Sequence, residues 1–180
     1  MREKIESLLP TLYRDMHAAG EFHGRGWEEH HQLISEFFVP GTRPILDFGC
    51  GPLGGLSADL GDEAIPYDPY LKKFSADPWT LLPCGVFSCD VLEHLTVPML
   101  RDFAGQVLAA PKVRRILLVI STRAANKVMP NGMNAHLTVH PVDWWVGFFS
   151  ATLERRFNLA VSSADHLRQH CVLGFVRREA

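Results

Sequence analysis

The sequence lacks the features of several classes of protein. Its longest uninterrupted apolar run, Ile116–Ile120, is far shorter than the roughly 20 residues that a membrane-spanning helix needs. None of its four cysteines belongs to a Cys-x-x-Cys pair, which argues against a zinc knuckle or a thioredoxin-type site. Residues Met1–Pro10 carry charges of both signs and no apolar signal-peptide core, so we expect a cytoplasmic protein with free thiols.

The sequence also lacks an excess of positive charge. Its 180 residues include 18 Lys and Arg against 20 Asp and Glu, and this balance argues against a nucleic-acid partner. Nine histidines are present. The pairs His30–His31 and His136/His140 have no clear third ligand at helical spacing, so the sequence predicts no metal site.

The spacing of apolar residues divides the chain into a helical extension, residues 1–42, and an α/β part, residues 43–180. Helices are predicted over Lys4–Met16, with an interruption at Pro10, and over Trp27–Phe38. Apolar runs then predict strands over Pro44–Phe48, Ala64–Tyr67, Val86–Cys89, Arg115–Ile120, Leu159–Ser163 and Cys171–Arg177. Further helices are predicted over Leu56–Leu60, Val97–Ala110 and Pro141–Phe157. This alternation indicates a Rossmann-like, doubly wound, mostly parallel sheet that ends in an antiparallel pair of strands.

A glycine-rich turn follows the first predicted strand. The segment Asp47–Gly54 has the pattern Asp-x-Gly-x-Gly-x-x-Gly and leads into the next helical pattern. Glycine allows a sharp turn and lets a ligand approach the main chain. Asp68 stands 19 residues after Gly49, at the end of the next strand, where a carboxylate can accept hydrogen bonds from ribose hydroxyls. The sequence therefore predicts a nucleoside-containing ligand at the carboxyl ends of parallel strands.

Asp47 bears on the choice of that ligand. Its negative charge beside the turn would repel a pyrophosphate and attract a ligand with an ammonium group. This favours S-adenosylmethionine over a nicotinamide dinucleotide. The alternative, in which Asp47 only accepts hydrogen bonds from amides of the loop, stays open.

Three segments, Ile45–Gly51, Tyr67–Pro69 and Cys89–Leu95, resemble class I S-adenosylmethionine-dependent methyltransferases. The elements Phe22–Gly24 and Asn134–Trp145 are similar to those of short methyltransferase-like proteins of phages and bacteria. The resemblance implies methyl transfer from S-adenosylmethionine. The cofactor-binding residues that it implies are Asp47, Gly49, Cys50, Gly51, Asp68, Pro69, Asp90 and Val91.

The adenine side departs from the family pattern. Asp77 is the acidic candidate beside the base, but Pro78 after it offers no N–H, and Trp79 either stacks on adenine or packs in the core. Residues 69–85 are too few for a helix, a strand and a second helix, so we expect a sheet trimmed between its second and fourth strands. Pro66 suits a sheet edge. Either the N-terminal helices or a second subunit of a homodimer would complete this side.

The loop after the Ile116–Ile120 strand is long and polar, and the resemblance implies that it builds the substrate site. His136 and His94 are the candidate bases, because imidazole titrates near neutral pH; His94 and Glu93 alternatively cap the next helix. The segment Phe22–Trp27 is a candidate lid or a plain turn. The predicted substrate contacts are Phe22, Arg25, Asn134, His136, His140 and Trp144. For Trp144 the alternative to a substrate contact is packing in the core.

Two sequence motifs that are missing restrict the class of methyl acceptor. Enzymes that methylate the exocyclic amines of nucleic-acid bases have a Pro-Pro-aromatic element where this chain has Asp90–Leu92. A cytosine C5 enzyme needs a Pro-Cys pair at the end of the preceding strand, whereas Pro83–Cys84 lies before that strand. We therefore expect transfer to the oxygen or nitrogen of a small molecule. The alternatives are a non-catalytic protein that binds the cofactor or a partner, a macromolecular acceptor, and a nicotinamide-type dehydrogenase.

Overall fold

The computed structural model describes residues 6–22, 25–165 and 169–179. Its framework is a six-stranded sheet with the order β2-β1-β3-β4-β6-β5. The strands are β1 (Ile45–Phe48), β2 (Ala64–Tyr67), β3 (Gly85–Cys89), β4 (Arg115–Ser121), β5 (Phe157–Asp165) and β6 (His170–Arg177). Strands β1 to β4 are parallel, whereas β6 pairs antiparallel with β4 and β5. The predicted α/β class, the mostly parallel sheet and the closing antiparallel pair are confirmed.

The helices agree with the predictions less closely than the strands. They are α1 (Leu9–Ala18), α2 (His31–Phe37), α3 (Ser57–Leu60), α4 (Val97–Ala109) and α5 (Val142–Leu153). Pro10 lies in the first turn of α1, where its missing N–H does no harm. The predicted helix over Trp27–Phe38 is wrong in its first part. Residues Gly26–His30 form a 3₁₀ helix with no buried residue, and only Trp27 packs, partly buried, against an apolar cluster, so little packing is available to hold an α-helix there.

The predicted helix over Pro141–Phe157 is too long. Helix α5 ends at Leu153, and Phe157 begins β5. Both residues are buried, and they stand four positions apart. Because this spacing suits one face of a helix, the apolar pattern contains no sign that the helix ends between them.

Helices cover both faces of the sheet. On one face, Phe103 of α4 and Trp145 and Phe149 of α5 pack against the apolar residues of β1, β3 and β4. On the other face, Ile34 and Phe37 of α2 lie in the second apolar cluster. Every residue of β1 is buried, as is typical of a central parallel strand covered on both sides.

The sheet is trimmed between β2 and β3, as predicted. Residues 68–84 contain only two short 3₁₀ turns, Lys72–Phe74 and Pro78–Leu81. Strand β2 is therefore an edge strand, and it contains Pro66, which lies opposite Asp47 of β1. Within residues 68–84, all of which the structure describes, no strand pairs with the outer edge of β2.

Helix α1 packs away from both faces of the sheet. Its buried residues Leu12, Tyr13 and Met16 form a separate cluster with Met129 and Ala135 of the loop that follows β4. The helix consequently lies over the carboxyl ends of the parallel strands. No helix in the described part of the chain has the length and apolar character needed to cross a membrane.

Candidate functional site

A cavity of about 750 Å³ lies at the carboxyl ends of the parallel strands. The chain segments that follow β1, β2, β3 and β4 all contribute to its wall, and α1 with the residues after it forms the opposite side. This is where ligands bind in open α/β sheets, and the volume is that of a site for a small molecule or cofactor. The cavity is therefore the candidate ligand site.

The turn after β1 forms the first part of the wall. Gly49 has φ of +89°, and a Cβ added to it would lie 2.3 Å from a methyl group of Val91, so only glycine fits. The backbone N–H groups of Gly49 and Cys50 both donate to the carbonyl of Tyr67, which fixes the turn to β2. Gly49 and Gly51 consequently line the cavity. Cys50 is buried and is not part of the lining.

Asp47 lies beneath this turn. Its carboxylate is buried and accepts a hydrogen bond of 2.8 Å from the N–H of Leu56. Burial raises the pKa of this carboxyl to about 7, although the Leu56 hydrogen bond opposes the shift. Asp47 does not line the cavity. The geometry therefore matches the alternative in which Asp47 fixes the loop, and it provides no direct contact with a ligand ammonium group.

Asp68, unlike Asp47, lines the cavity. It is 5% exposed, and it accepts a hydrogen bond of 3.0 Å from the N–H of Tyr70. The Nε2 atom of His17 lies 3.5 Å from its second oxygen. Burial raises the pKa of Asp68 and lowers the pKa of His17. His17 is absent from the predicted site residues, because only the packing of α1 brings it to the end of β2.

The two predicted bases lie together on the cavity wall. The ring centroids of His94 and His136 are 4.7 Å apart, and both rings line the cavity. Burial lowers the pKa of both, to about 3 for His94. Glu93, considered as a helix cap in the sequence analysis, instead lies beside them. Its Oε1 atom is 3.8 Å from Nε2 of His136 and accepts a hydrogen bond from the N–H of Ser121.

Asp90 and Val91 follow β3 and also line the cavity, as predicted for the cofactor site. Asp90 has φ of +54°, a left-handed conformation that is uncommon for a residue with a side chain. Burial acts to raise the pKa of Asp90, but its contact with His170, 3.2 Å away, lowers it overall. Gly26 covers this carboxylate, since an added Cβ would lie 3.1 Å from Asp90 Oδ2.

The predicted lid is part of the wall. Phe22 and Arg25 line the cavity, whereas His23 and Gly24 lie outside the described residues. The ring of Phe22 lies 4.8 Å from that of His17 and 5.7 Å from that of His94. Pro69, which follows β2 and was predicted to contact the cofactor, lines the cavity as well. The described residues of this segment that line the cavity, Phe22, Arg25 and Gly26, therefore form part of its wall.

The predicted adenine contacts lie outside the cavity lining. Asp77 accepts a hydrogen bond from the N–H of Trp79 and so caps the Pro78–Leu81 turn. The indole N–H of Trp79 donates to Gln106, and its ring packs against the main core. Because both side chains serve this turn, their predicted role at adenine has no support in the geometry. Gln106, which does line the cavity, was missed.

Three predicted substrate contacts also lie elsewhere. Asn134 exchanges two hydrogen bonds with the backbone of Ala125, so its amide holds the loop closed. His140 stacks on Trp144 with centroids 4.1 Å apart, and neither residue lines the cavity. Trp144 packs against the main core, which was its alternative in the sequence analysis.

Similarity at the sequence level identifies no family: the sequence matches no protein-family model and no curated protein. Solved structures do match the fold. One is the 1,6-didemethyltoxoflavin-N1-methyltransferase of Burkholderia thailandensis with bound S-adenosylhomocysteine, with a TM-score of 0.63 and 10% identity over 99% of this chain and 91% of that one. The chain has the class I methyltransferase fold.

Two further structures share this methyltransferase fold. The small RNA methyltransferase HEN1 has a TM-score of 0.59 and 11% identity, over 87% of this chain and 26% of that chain. An S-adenosylmethionine-dependent methyltransferase from Archaeoglobus fulgidus has a TM-score of 0.52 and 17% identity, over 83% of this chain and 92% of that one. The methyltransferase fold is thus established across most of the chain, and the function has to be inferred from the site.

Proposed function

We propose that the chain is an S-adenosylmethionine-dependent methyltransferase that acts on an oxygen or nitrogen of a small molecule. One observation carries this proposal: Gly49, Gly51 and Asp68 meet on one wall of a 750 Å³ cavity, in a chain with the methyltransferase fold. The Burkholderia thailandensis enzyme of the same fold binds S-adenosylhomocysteine, which supports the same cofactor here.

The cofactor's parts match the groups along this wall. The methionine part would lie beside the Gly49–Gly51 turn, where the backbone is accessible. The Asp68 oxygen that faces His17 would accept hydrogen bonds from the ribose hydroxyls. Asp90 would then lie near the transferred methyl group, since β3 is adjacent to β1 in the sheet.

Methyl transfer needs little from the protein beyond alignment and the exclusion of water. The acceptor's lone pair forms a bond to the methyl carbon while the carbon–sulfur bond breaks and the sulfur keeps the electron pair. A proton then leaves the acceptor. His136 is the favoured base: burial lowers its pKa below the ordinary 6.5, which leaves the imidazole neutral at pH 7, whereas His94, with a pKa of about 3, is a weak base.

Calorimetric titration with S-adenosylmethionine, S-adenosylhomocysteine and NADH tests the proposed cofactor. We expect micromolar binding of the first two and at least tenfold weaker binding by Asp68→Asn, because a carboxylate that accepts ribose hydroxyls is lost. Asp77→Asn is the matched control and should bind as the wild type does, since Asp77 lies outside the cavity lining. Binding of NADH alone would contradict the proposal. Cofactor binding without turnover on any acceptor would favour the non-catalytic alternative.

A macromolecular acceptor is the second candidate. Arg25, Arg123 and Lys127 all line the cavity, and HEN1, a small RNA methyltransferase, shares the fold. Cations at the mouth of a site favour a phosphate-bearing acceptor. RNA binding that weakens steeply with salt and is lost in Arg123→Ala would support this candidate over a small molecule.

A further inference from the structure

Glu93, His94 and His136 form a compact group of ligand atoms beside the cavity. One ring nitrogen of each histidine and one carboxylate oxygen of Glu93 all lie within 4.8 Å of one another. Glu93 and His94 belong to the 3₁₀ turn after β3, whereas His136 comes from the loop after β4. The fold thus brings His136 beside Glu93 and His94, which it follows in the sequence by about 40 residues.

The backbone fixes both imidazoles in the same tautomer. Nδ1 of His94 lies 2.9 Å from the carbonyl of Ala135, and Nδ1 of His136 lies 2.7 Å from the carbonyl of Arg123. Carbonyl oxygens only accept hydrogen bonds, so both Nδ1 atoms carry the proton and each Nε2 keeps its lone pair. Metal-binding histidines are oriented in this way, with the second ring nitrogen held by a carbonyl or a carboxylate.

Glu93 gives an independent sign of a missing ligand. Its side chain is fully buried, and while Oε1 accepts the N–H of Ser121, Oε2 has no hydrogen-bond partner among the described residues. A buried carboxylate oxygen without a partner is costly. A cation bound by the two histidines and by both oxygens of Glu93 would give Oε2 a partner and remove that cost.

We propose that Glu93, His94 and His136 form a binding site for a divalent transition-metal ion. Two imidazole nitrogens and one carboxylate oxygen suit ions such as Zn²⁺, Co²⁺, Mn²⁺ or Fe²⁺ better than Mg²⁺ or Ca²⁺, which prefer sites made of oxygen atoms. His94 and His136 line the cavity, so the ion's remaining coordination positions would be accessible from it. In that case the two histidines act as ligands, and His136 is not the base.

The site also suggests a class of acceptor, and this part rests on the proposed methyltransferase function. A bound divalent ion lowers the pKa of a coordinated hydroxyl and holds it in place. An acceptor with a hydroxyl and a neighbouring oxygen, such as a vicinal diol or a hydroxy acid, would bind the ion through both. Its proton would pass to solvent, and the oxygen would then attack the methyl carbon.

The test is a titration of the chelator-treated full chain with Co²⁺, followed by absorption spectroscopy and calorimetry and without any cofactor. We expect one Co²⁺ per chain, displacement by Zn²⁺, and at least tenfold weaker binding of Mg²⁺. His136→Ala and Glu93→Gln should each weaken Co²⁺ binding at least tenfold, whereas His31→Ala, which removes an exposed imidazole, should bind normally.

Circular dichroism and thermal unfolding establish that each variant is folded; if Glu93→Gln is not, His136→Ala carries the test. Absence of Co²⁺ binding by the folded wild-type protein would overturn the proposal. So would stoichiometric binding that survives His136→Ala. Because this readout needs no S-adenosylmethionine, the metal site and the methyltransferase function can fail independently of each other.

Discussion

At the scale of single residues, the contact between Gly49 and Val91 sets the shape of the cavity wall after β1. The backbone at Gly49 is left-handed, and the space that a Cβ would need is filled by the Val91 side chain. Gly41 has a similar φ of +83°, but nothing lies within 4 Å of the position of its missing Cβ. The two glycines therefore share a left-handed backbone conformation and differ in how crowded the position of an added Cβ would be.

This difference gives a direct comparison. Gly41→Ala should cost about 1–2 kcal/mol of unfolding free energy, from the left-handed backbone alone. Gly49→Ala should cost roughly 1–3 kcal/mol more, because Val91 must move, and it should also weaken S-adenosylhomocysteine binding. Urea unfolding and calorimetry of both variants measure this. Equal destabilisation by the two substitutions would show that the Val91 contact is unimportant.

Asp47 predicts a pH dependence of stability. Its pKa is about 7 in the folded protein, against an ordinary value of 3.8 for an exposed aspartate, so the folded state binds a proton more readily between these values. The stability that the protonated Asp47 contributes to the folded state is fully present below about pH 4 and is lost as the pH rises through about 7. The variant Asp47→Asn keeps an oxygen that can accept the hydrogen bond from the Leu56 N–H, but its side chain does not ionise in this pH range.

We therefore expect Asp47→Asn to gain stability relative to the wild type as the pH rises from about 4 to 8, by at most about 4 kcal/mol. Urea unfolding of both proteins across this range measures the difference. Asp62→Asn, which changes an exposed carboxylate, is the control for the loss of one formal charge. Parallel pH profiles for wild type and Asp47→Asn would contradict the prediction.

At the scale of elements, the buried hydroxyl of Tyr13 helps the apolar cluster to hold α1 over the cavity. Tyr13 is 3% exposed, and its hydroxyl lies 2.9 Å from the carbonyl of His94 and 3.0 Å from that of Ala135. These two carbonyls belong to the segments that carry His94 and His136. The helix is thus connected to the part of the cavity wall that contains the two histidines, as well as covering the cavity.

Tyr13→Phe should destabilise the protein by about 1–3 kcal/mol, because two partly buried carbonyls lose a donor. The matched control is Tyr70→Phe, whose ring stacks on Tyr13 with centroids 5.2 Å apart. Thermal unfolding separates the two variants. A Tyr13→Phe variant as stable as Tyr70→Phe would mean that apolar packing alone holds α1.

The sequence allowed the strands to be predicted better than the helix ends and the loops. Parallel strands are buried on both sides, so their apolar runs are distinct from their surroundings, as for Arg115–Ser121. Phe157 was assigned to the wrong element because its spacing from Leu153 suits a helix. His17 and Gln106 could not be assigned to the cavity, because their positions depend on how α1 and α4 pack, which periodicity does not specify.

At the scale of the whole molecule, the cavity lies between α1 and four strand ends, so a ligand there binds only the folded chain. S-adenosylhomocysteine at about 100 times its Kd should add about 2.7 kcal/mol of stability. For a chain of this size the melting temperature should rise by roughly 5–10 °C. Adenosine at the same concentration serves as the comparison. An equal shift with adenosine would contradict a role for the Gly49–Gly51 turn in binding the methionine part.

The trimmed sheet has a consequence for how copies of the protein meet. In β2, the carbonyl of Tyr67 faces β1, so the alternate positions Ala64, Pro66 and Asp68 face outward. The N–H of Ala64 donates to Gly61, that of Asp68 donates to Phe74, and Pro66 has none. This edge has no free donor with which to recruit a strand from another chain. The molecule can therefore lack a neighbouring strand at β2 and still resist strand addition along that edge, and a homodimer that extends the sheet from β2 is disfavoured.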